Sequence, residues 1–381
     1  MERFAGQSLG ERPHLAVLFA DKLGGFVVAT PLLRGLKEKY QGCVLDYFGG
    51  DRTAELEAAC PYIDSRFSIY GPGDPLRRVA EYVAEREATH GPYDLAINLD
   101  FHPVNATVVA MLRPRYVVGR CYTPDARQEL PFLGDPVDAL HHEVWSSSDL
   151  LVRYRGVLSS SYIGEIFCRL ARVETDFART EVPTAPPGLP VSEVLIATGA
   201  TRKAKLWPEA AWERLIRLLD ERGLSVGLLG GTPAAQRQHY RSADADEYLL
   251  ANTSLIDLRG KLTLPQVAGA LEEAVACVTV DNGIMHLAYS VGTPTVALFG
   301  ASPWRVWAPK LRHLAVVLPA VDCSMCRDDR FSGDGCLREQ HICMESITPE
   351  MVLARLERLL RSCGRSGRLG SSVAAQQRSR S

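Results

Sequence analysis

Short apolar runs alternate with helical patterns along the first half of the chain. Apolar runs typical of buried strands occur at residues 14–20, 44–48, 66–70, 94–99 and 116–119. The first run contains Leu-Ala-Val-Leu-Phe-Ala without polar alternation, as expected for a strand that is buried on both faces of a sheet. Strands that alternate with helices predict an α/β domain with a parallel sheet.

The alternation starts again after a proline-rich segment. Residues 182–190 carry four prolines in nine positions, which excludes a helix or a central strand. Apolar runs then resume at residues 194–198, 225–229, 255–258, 277–280, 295–299 and 314–318. Further helical patterns fall at residues 147–158, 162–172, 208–221, 263–274 and 349–362. These patterns predict an amino-terminal domain at 1–181, a linker at 182–193, a carboxyl-terminal domain at 194–363 and a disordered tail at 364–381.

Composition agrees with two globular domains and excludes several classes of protein. The 381 residues are 46% hydrophobic and 23% charged, which is enough apolar material for two cores. Forty-three basic and 45 acidic residues give a net charge of -2, which argues against nucleic acid or an anionic membrane as a partner. We expect a cytoplasmic location and no transmembrane segment, because no apolar run reaches membrane-span length and residues 1–10 lack signal-peptide features.

The segment Asp281-Asn-Gly-Ile-Met-His286 lies between a buried strand and a helix that is predicted to begin near Ile284. A helix start at the carboxyl end of a parallel strand offers unpaired N–H groups and a positive dipole end to an anion. A diphosphate is the natural ligand, with Asn282, Gly283 and His286 around it. The alternative is that Asp281 and Asn282 cap the helix while His286 packs in the core.

Two other loops follow strands of the same domain. One places Thr198, Thr201, Lys203 and Lys205 after the strand at 194–198. Its lysines can neutralise the charge that builds up on a departing diphosphate, although a solvated basic loop is the alternative. The other contains Gly230 and Gly231 and is predicted to line a nucleotide pocket.

In the first domain, Leu23, Gly24 and Gly25 are predicted to form a glycine loop between a strand and an amphipathic helix. The spacing is not that of a Gly-x-Gly-x-x-Gly dinucleotide site. With the segments above, this loop resembles the bacterial ADP-heptose:lipopolysaccharide heptosyltransferases of glycosyltransferase family nine. Those enzymes have a Leu-Gly-Asp loop before an Ala-Thr-Pro-type helix, a lysine loop like Lys205-Leu-Trp-Pro208, and an Asp-Ser/Thr-Gly-x-x-His signature like residues 281–286.

The resemblance extends over about residues 15–360 and implies the GT-B fold, two Rossmann-like domains with parallel sheets facing an inter-domain cleft. It implies an inverting transfer of a heptose or related sugar from an ADP-sugar donor to an acceptor hydroxyl, without a cofactor for the chemistry. The acceptor can be a glycan, a protein or a small molecule. Lys205 would lie beside the donor phosphates, and Asp281, Asn282, Gly283 and His286 around the diphosphate and sugar.

One position departs from the family pattern. The family's loop carries an aspartate that deprotonates the acceptor, and here that position is Gly25, which cannot accept a proton. Candidate bases are Asp21, Asp100 and His102, although such residues more often bond loop N–H groups or cap a helix. Two other functions therefore stay open: a nucleotide-sugar epimerase or hydrolase on the same fold, and a binding or assembly protein that lost its base.

Nine of the ten cysteines fall into two groups. Those in apolar or amphipathic stretches are expected to be reduced core residues; they are Cys43, Cys60, Cys121, Cys168 and Cys277. Cys323, Cys326, Cys336 and Cys343 are spaced Cys-x2-Cys-x9-Cys-x6-Cys in a Gly/Asp-rich loop. Four thiolates can hold a structural zinc or iron, and relatives in the resembling family often carry similar cysteines. The alternative is reduced thiols or disulfides.

Overall fold

The computed structural model describes residues 1–19, 22–323, 326, 333–338 and 340–365. The chain divides into two units, unit 1 (Met1–Pro183) and unit 2 (from Thr184 onward). The boundary lies inside the proline-rich segment that was predicted to be a linker.

Unit 1 contains a six-stranded sheet in which every described pairing is parallel. Its strands are β1 (Glu2–Arg3), β2 (His14–Leu18), β3 (Val44–Gly49), β4 (Ser65–Ser68), β5 (Leu95–Asn98) and β6 (Tyr116–Val118). They lie in the order β1-β6-β5-β2-β3-β4. The order reverses between β2 and β5, so the loops after these two strands leave the sheet at the point where open α/β sheets bind ligands.

Unit 2 contains a second six-stranded parallel sheet. Its strands are β7 (Val194–Ala197), β8 (Val226–Leu228), β9 (Ile256–Asp257), β10 (Ala276–Val280), β11 (Thr295–Leu298) and β12 (Leu314–Val317). Their order, β12-β11-β10-β7-β8-β9, is the doubly wound order of dinucleotide-binding folds. The reversal lies between β7 and β10, so the loops that follow them are the expected ligand loops.

Helices connect the strands in both units. Those of unit 1 are α1 (Leu23–Lys39), α2 (Ala54–Ala59), α3 (Pro75–His90), α4 (Pro103–Leu112), α5 (Pro136–Ala139), α6 (Leu150–Arg153) and α7 (Ile163–Leu170). Those of unit 2 are α8 (Glu209–Asp220), α9 (Pro233–His239), α10 (Ala243–Asn252), α11 (Leu264–Glu273), α12 (Gly283–Ser290), α13 (Trp304–Trp307), α14 (Ile342–Glu345) and α15 (Pro349–Ser362). Short 3-10 turns occur at Leu140–His142 and Lys203–Lys205.

Local sequence explains where the main elements begin and end. The central strands β2, β7 and β10 consist of residues that are all buried, as the unbroken apolar runs predict. Helix α11 starts with a capping box in which Thr263 and Gln266 bond each other's backbone N–H groups. Helix α15 starts with a capping Thr348 and with Pro349 in its first turn.

The predicted strands are confirmed, since all eleven are present with ends within two residues of the expected limits. The helix predicted at 147–158 is wrong in extent, because only α6 forms and Gly156, at φ +91°, turns the chain soon after it. Strand β1 and helices α9 and α10 were not predicted. In the described residues, no helix is both long and apolar enough to cross a membrane.

Candidate active site

Lys205 and Asp281 are brought together by two loops of unit 2. Strand β7 leads into the 3-10 turn that ends at Lys205, and β10 ends directly before Asp281. Because β7 and β10 are paired neighbours, both loops leave the same edge of the sheet. Lys205 Nζ donates to Asp281 Oδ2 over 2.7 Å, and the side chains are 20% and 6% exposed respectively. The pair fixes a cation at the reversal point of the sheet.

The electrostatics of this pair favour its charged form. Burial raises the pKa of the Asp281 carboxyl, but the charge and hydrogen bond of Lys205 oppose this and hold that pKa below its ordinary value. A lysine ammonium has three N–H donors, so Lys205 can bond Asp281 and still donate to an anion. The Lys205 ammonium therefore keeps N–H donors that Asp281 does not occupy.

Asn282 caps helix α12 and also joins the two loops. Its Oδ1 accepts from the N–H of Met285 over 3.1 Å, and its Nδ2 donates to the carbonyl of Gly199 over 2.8 Å. A longer contact of 3.4 Å joins Nδ2 to the carbonyl of Ala197. The amide side chain is thus occupied by protein groups, as the capping alternative predicted for Asn282. Anion binding at this helix start would use backbone N–H groups, including that of Gly283, the first helical residue.

His286 lies one turn into α12 and is 3% exposed. Burial lowers its pKa to about 4, so the ring is neutral near pH 7. Its Nδ1 lies 2.8 Å from the hydroxyl of Tyr289. The ring packs edge-on against Trp307, 6.1 Å between centroids. His286 is therefore a buried, neutral imidazole, which matches the alternative that it packs in the core.

The other predicted donor residues are placed differently from one another. Thr198 is buried and its hydroxyl donates to the carboxylate of Asp246. Asp246 is also buried, and the sequence analysis did not single it out. Burial raises the pKa of Asp246 to about 6. Thr201 and Lys203 are exposed; the Lys203 ammonium makes no hydrogen bond or ion pair within the described residues, although its charge helps to lower the pKa of Asp334. Of the three polar side chains, only those of Thr201 and Lys203 are accessible to a ligand.

Gly230 and Gly231 follow β8, the other neighbour of β7. A Cβ atom at Gly230 would lie 2.4 Å from Nε2 of Gln236, and one at Gly199 would lie 3.6 Å from the same atom. Gln236 therefore lies against the loops that follow β7 and β8. The glycine at 230 is required by this close approach rather than by a positive φ.

A cavity of about 300 Å³ opens at the carboxyl ends of β11 and β12. Its lining includes Phe299, Trp304, Leu318 and Val321 together with Ser302. It is thus a recess with both apolar and polar lining, Asp322 included, of a size that small ligands occupy, beside the strand that follows α12.

In unit 1, Leu23, Gly24 and Gly25 lie in the first turn of α1, so the predicted glycine loop is wrong. A Cβ atom at Gly25 would lie 2.8 Å from Cε1 of Phe19, whose ring covers this position. An aspartate cannot be accommodated there unless Phe19 moves. Asp21, one of the three candidate bases, lies outside the described residues.

Asp100 and His102 follow β5 at the reversal point of the first sheet. Asp100 Oδ1 accepts from the N–H of His102 over 2.9 Å, while Oδ2 has no partner within the described part of the chain. His102 caps α4, its Nδ1 accepting from the N–H of Val104 over 3.3 Å. That bond places the proton of the neutral ring on Nε2, so the exposed nitrogen is a donor. Asp100 is the better proton acceptor of the two.

The five predicted core cysteines are buried, which confirms that prediction. In the second group, burial raises the pKa of Cys343 to about 11, and the charges of Cys323, Cys336 and Cys326 add to that rise. The other three sulfurs therefore lie within electrostatic range of Cys343. Nevertheless, the described residues contain no group of three or more His, Cys, Asp or Glu side chains arranged to hold a metal ion, and no disulfide. This arrangement does not support the predicted metal site.

Comparison with known proteins gives a family match. The model of glycosyltransferase family 9 (heptosyltransferase) matches residues 85–333. Lipopolysaccharide heptosyltransferase 1 of Pseudomonas aeruginosa is 32% identical over 191 residues, which are 48% of this chain and 51% of that protein. The alignment thus spans about half the length of that relative.

Solved structures share the fold. A family 9 glycosyl transferase from Veillonella parvula superposes with a TM-score of 0.71 at 18% identity, covering 92% of this chain and 97% of that one. The dodecameric iron-containing heptosyltransferase TibC of Escherichia coli, solved with ADP-D-β-D-heptose, gives a TM-score of 0.59 at 19% identity, covering 95% and 80%. These similarities show the fold, two parallel α/β units of the GT-B class.

Proposed function

The chain belongs to glycosyltransferase family 9 (heptosyltransferase), and from this we propose that it transfers a heptose from an ADP-sugar donor to an acceptor hydroxyl. The observation that carries the proposal is the Lys205–Asp281 pair at the reversal point of the second sheet, beside the start of α12. A fixed cation and a helix start together suit a diphosphate. The ADP-heptose bound by TibC supports the choice of donor.

Unit 2 is the proposed donor unit. The Lys205 ammonium and the first N–H groups of α12 would bind the diphosphate and stabilise the extra negative charge that forms on it as the bond to the sugar breaks. His286, neutral near pH 7, would donate or accept a hydrogen bond at the sugar or phosphate. The cavity lined by Phe299 and Trp304 is our candidate for the nucleoside.

Unit 1 is the proposed acceptor unit, with Asp100 as the base. Its Oδ2, which has no partner in the described part of the chain, would take the proton of the acceptor hydroxyl, and the acceptor oxygen would then attack the anomeric carbon as ADP departs. A single displacement of this kind inverts the configuration at that carbon. His102 is a weaker candidate because its capping bond occupies the nitrogen that would accept the proton.

The test of this assignment compares Asp100→Asn with His102→Gln. For Asp100→Asn we expect unchanged ADP binding and a loss of sugar transfer of about 10²-fold or more, in line with the removal of a general base. His102→Gln should keep most of its turnover. Equal turnover in the wild type and Asp100→Asn would exclude Asp100 as the base and return attention to Asp21.

The alternatives predict different products. An epimerase or hydrolase would change or hydrolyse the donor sugar without any acceptor, and a binding or assembly protein would bind the donor and never release ADP. The carboxylate oxygen of Asp100 that is unbonded among the described residues favours transfer over the non-catalytic alternative, because it offers a base despite Gly25. ADP release that depends on an added acceptor would distinguish transfer from both.

The acceptor is proposed by analogy with named relatives. Because the relative from Pseudomonas aeruginosa is a lipopolysaccharide heptosyltransferase, the lipopolysaccharide core is the first acceptor to test, followed by proteins and small molecules. The cytoplasmic location stays a prediction. Cell fractionation would test this prediction, with the amount of the chain and the ADP-releasing activity measured in each fraction.

We also propose a structural zinc or iron at Cys323, Cys326, Cys336 and Cys343, by analogy with the iron-containing TibC. Since the described sulfurs do not form a ligand set, binding would require this segment to draw together around the ion. Chain purified without chelator should contain about one zinc or iron per molecule, and Cys343→Ser should contain less. Wild-type chain that carries neither metal after growth with both would contradict this proposal.

A further inference from the structure

The turn that carries Lys205 is held by a segment from the cysteine-rich region of the same unit, residues 333–338 and 340–343, here called the clamp segment. The backbone N–H of Ala204 donates to the carbonyl of Asp334 over 3.0 Å. The N–H of Lys203 donates to Asp334 Oδ1 over 3.1 Å. His341 Nε2 lies 2.8 Å from the carbonyl of Ala204. Both backbone polar groups of Ala204 are therefore bonded to the clamp segment.

A 3-10 turn of three residues has few bonds of its own. Within this turn, the N–H of Lys205 donates to the carbonyl of Arg202 over 3.1 Å. The N–H of Leu206 donates to the carbonyl of Lys203 over 3.0 Å. Ala204, which is 1% exposed, packs with Ala301 and Cys326. The position of the turn relative to the sheet thus depends strongly on contacts with the region that follows β12.

Asp334 is itself fixed from a second direction. Arg241 Nε lies 3.4 Å from its carboxylate, and the backbone N–H of Arg241 donates to the carbonyl of Ala200 over 2.9 Å. Ala200 lies in the loop after β7 that leads to Lys205. The Asp334 carboxylate therefore joins both ends of the lysine loop, although it is 44% exposed and its bonds are individually modest.

We propose that Asp334 and His341 are positioning residues that hold Lys205 in place for the donor diphosphate. The proposal rests on the proposed function, because these residues act on the donor only through Lys205.

The experiment is calorimetric titration of the full chain with ADP. Asp334→Ala and His341→Ala should each raise the Kd for ADP about fivefold, as expected for loss of one such hydrogen bond. Asp334→Asn should stay within about twofold of the wild type, because its amide oxygen can still accept from Lys203 N–H. The matched control is Glu221→Ala, which removes another carboxylate of unit 2 that is 59% exposed and lies 3.6 Å from an arginine, away from the turn.

A double-mutant cycle with Lys205→Met separates positioning from general destabilisation. In the Lys205→Met background, Asp334→Ala should leave the Kd unchanged, because the group that it positions is gone. A variant that merely destabilises the binding-competent fold raises the apparent Kd by the same factor with or without Lys205.

The results distinguish the two proposals. The positioning role is overturned if Asp334→Ala binds ADP as tightly as the wild type. It is also overturned if Asp334→Ala raises the Kd by the same factor in the Lys205→Met background. Either result leaves the proposed donor site intact. Failure of the wild-type chain to bind ADP contradicts the proposed function and the positioning role together.

Discussion

Removing the charge of Lys205 should destabilise unit 2 and should do so in a pH-dependent way. Lys205→Met keeps most of the aliphatic stem but leaves the Asp281 carboxylate, 6% exposed, without its cation. Breaking a buried pair on one side costs about 3–5 kcal/mol, and a hydrogen bond to a charged group contributes about 1.5–3 kcal/mol. Because Lys205 is 20% exposed, water can partly solvate Asp281 in the variant. We therefore expect Lys205→Met to lower the free energy of unfolding of unit 2 by about 2 kcal/mol.

The assay is differential scanning calorimetry, because two units need not unfold together. For a unit of this size, 2 kcal/mol corresponds to a Tm decrease of about 4–8 °C at pH 7. Lys203→Met is the matched control: it removes an exposed lysine of the same turn with no side-chain partner in the described residues, and its Tm should change by less than about 2 °C.

The Tm difference between the wild type and Lys205→Met should depend on pH through the Asp281 carboxyl. The pKa of Asp281 is lowered in the wild-type fold, so its contribution to stability is present above the unfolded value and is lost as pH falls. Without Lys205, burial should raise that pKa instead. The Tm difference should therefore shrink as the pH falls and the variant's carboxyl becomes protonated. A difference that is constant from pH 7 to pH 4, or equal for the two lysine variants, would refute this reasoning.

Three further predictions concern the two cores and the base position. Asp46→Ala should destabilise unit 1 by about 3–5 kcal/mol in denaturant titration. The buried Asp46 carboxylate accepts two hydrogen bonds from Arg86, at 2.9 and 2.6 Å, and others from His14 and Tyr93. The control, Glu81→Ala at an exposed position, should change the free energy of unfolding by less than about 0.5 kcal/mol. Buried His286 is neutral in the fold and protonates more readily when unfolded, so the Tm of wild-type unit 2 should fall relative to that of His286→Gln as pH drops from 6.5 towards 4; a Tm difference that does not change with pH would contradict the assignment. Gly25→Ala should cost about 1–3 kcal/mol in unit 1 by contact with Phe19, and Phe19→Leu should recover part of that loss; an unaffected Gly25→Ala chain would show that the ring moves freely.

The sequence predicted the sheets well because their strands carry unbroken apolar runs between turn residues. Strands β7 and β10 are examples: every residue is buried, so composition alone marks them. Strand β1 has only two residues, one of them exposed, so it has no comparable pattern. Helix α9 reads Pro-Ala-Ala-Gln-Arg-Gln-His, without apolar periodicity, and forms because Thr232 caps it and Pro233 opens it.

The candidate site was only partly predictable for a different reason. The loops that carry Lys205 and Asp281 follow central strands, and strand order brings them together, as their positions after buried runs suggested. Whether Asn282 binds a ligand or caps a helix depends on its bonds to Gly199 and Met285, which local sequence does not reveal. The clamp by Asp334 joins positions 131 residues apart, and no periodicity connects them.

Transfer of heptose from ADP-heptose to an acceptor is tested most directly by following a labelled sugar. ADP-heptose labelled in the heptose is incubated with the chain and an extract of the source organism, and the label is traced by chromatography. We expect the label to enter a new product in step with ADP release, and we expect Asp100→Asn and Lys205→Met to reduce this transfer strongly. Label that appears only as free heptose, at the same rate with and without extract, would contradict the account and identify a hydrolase.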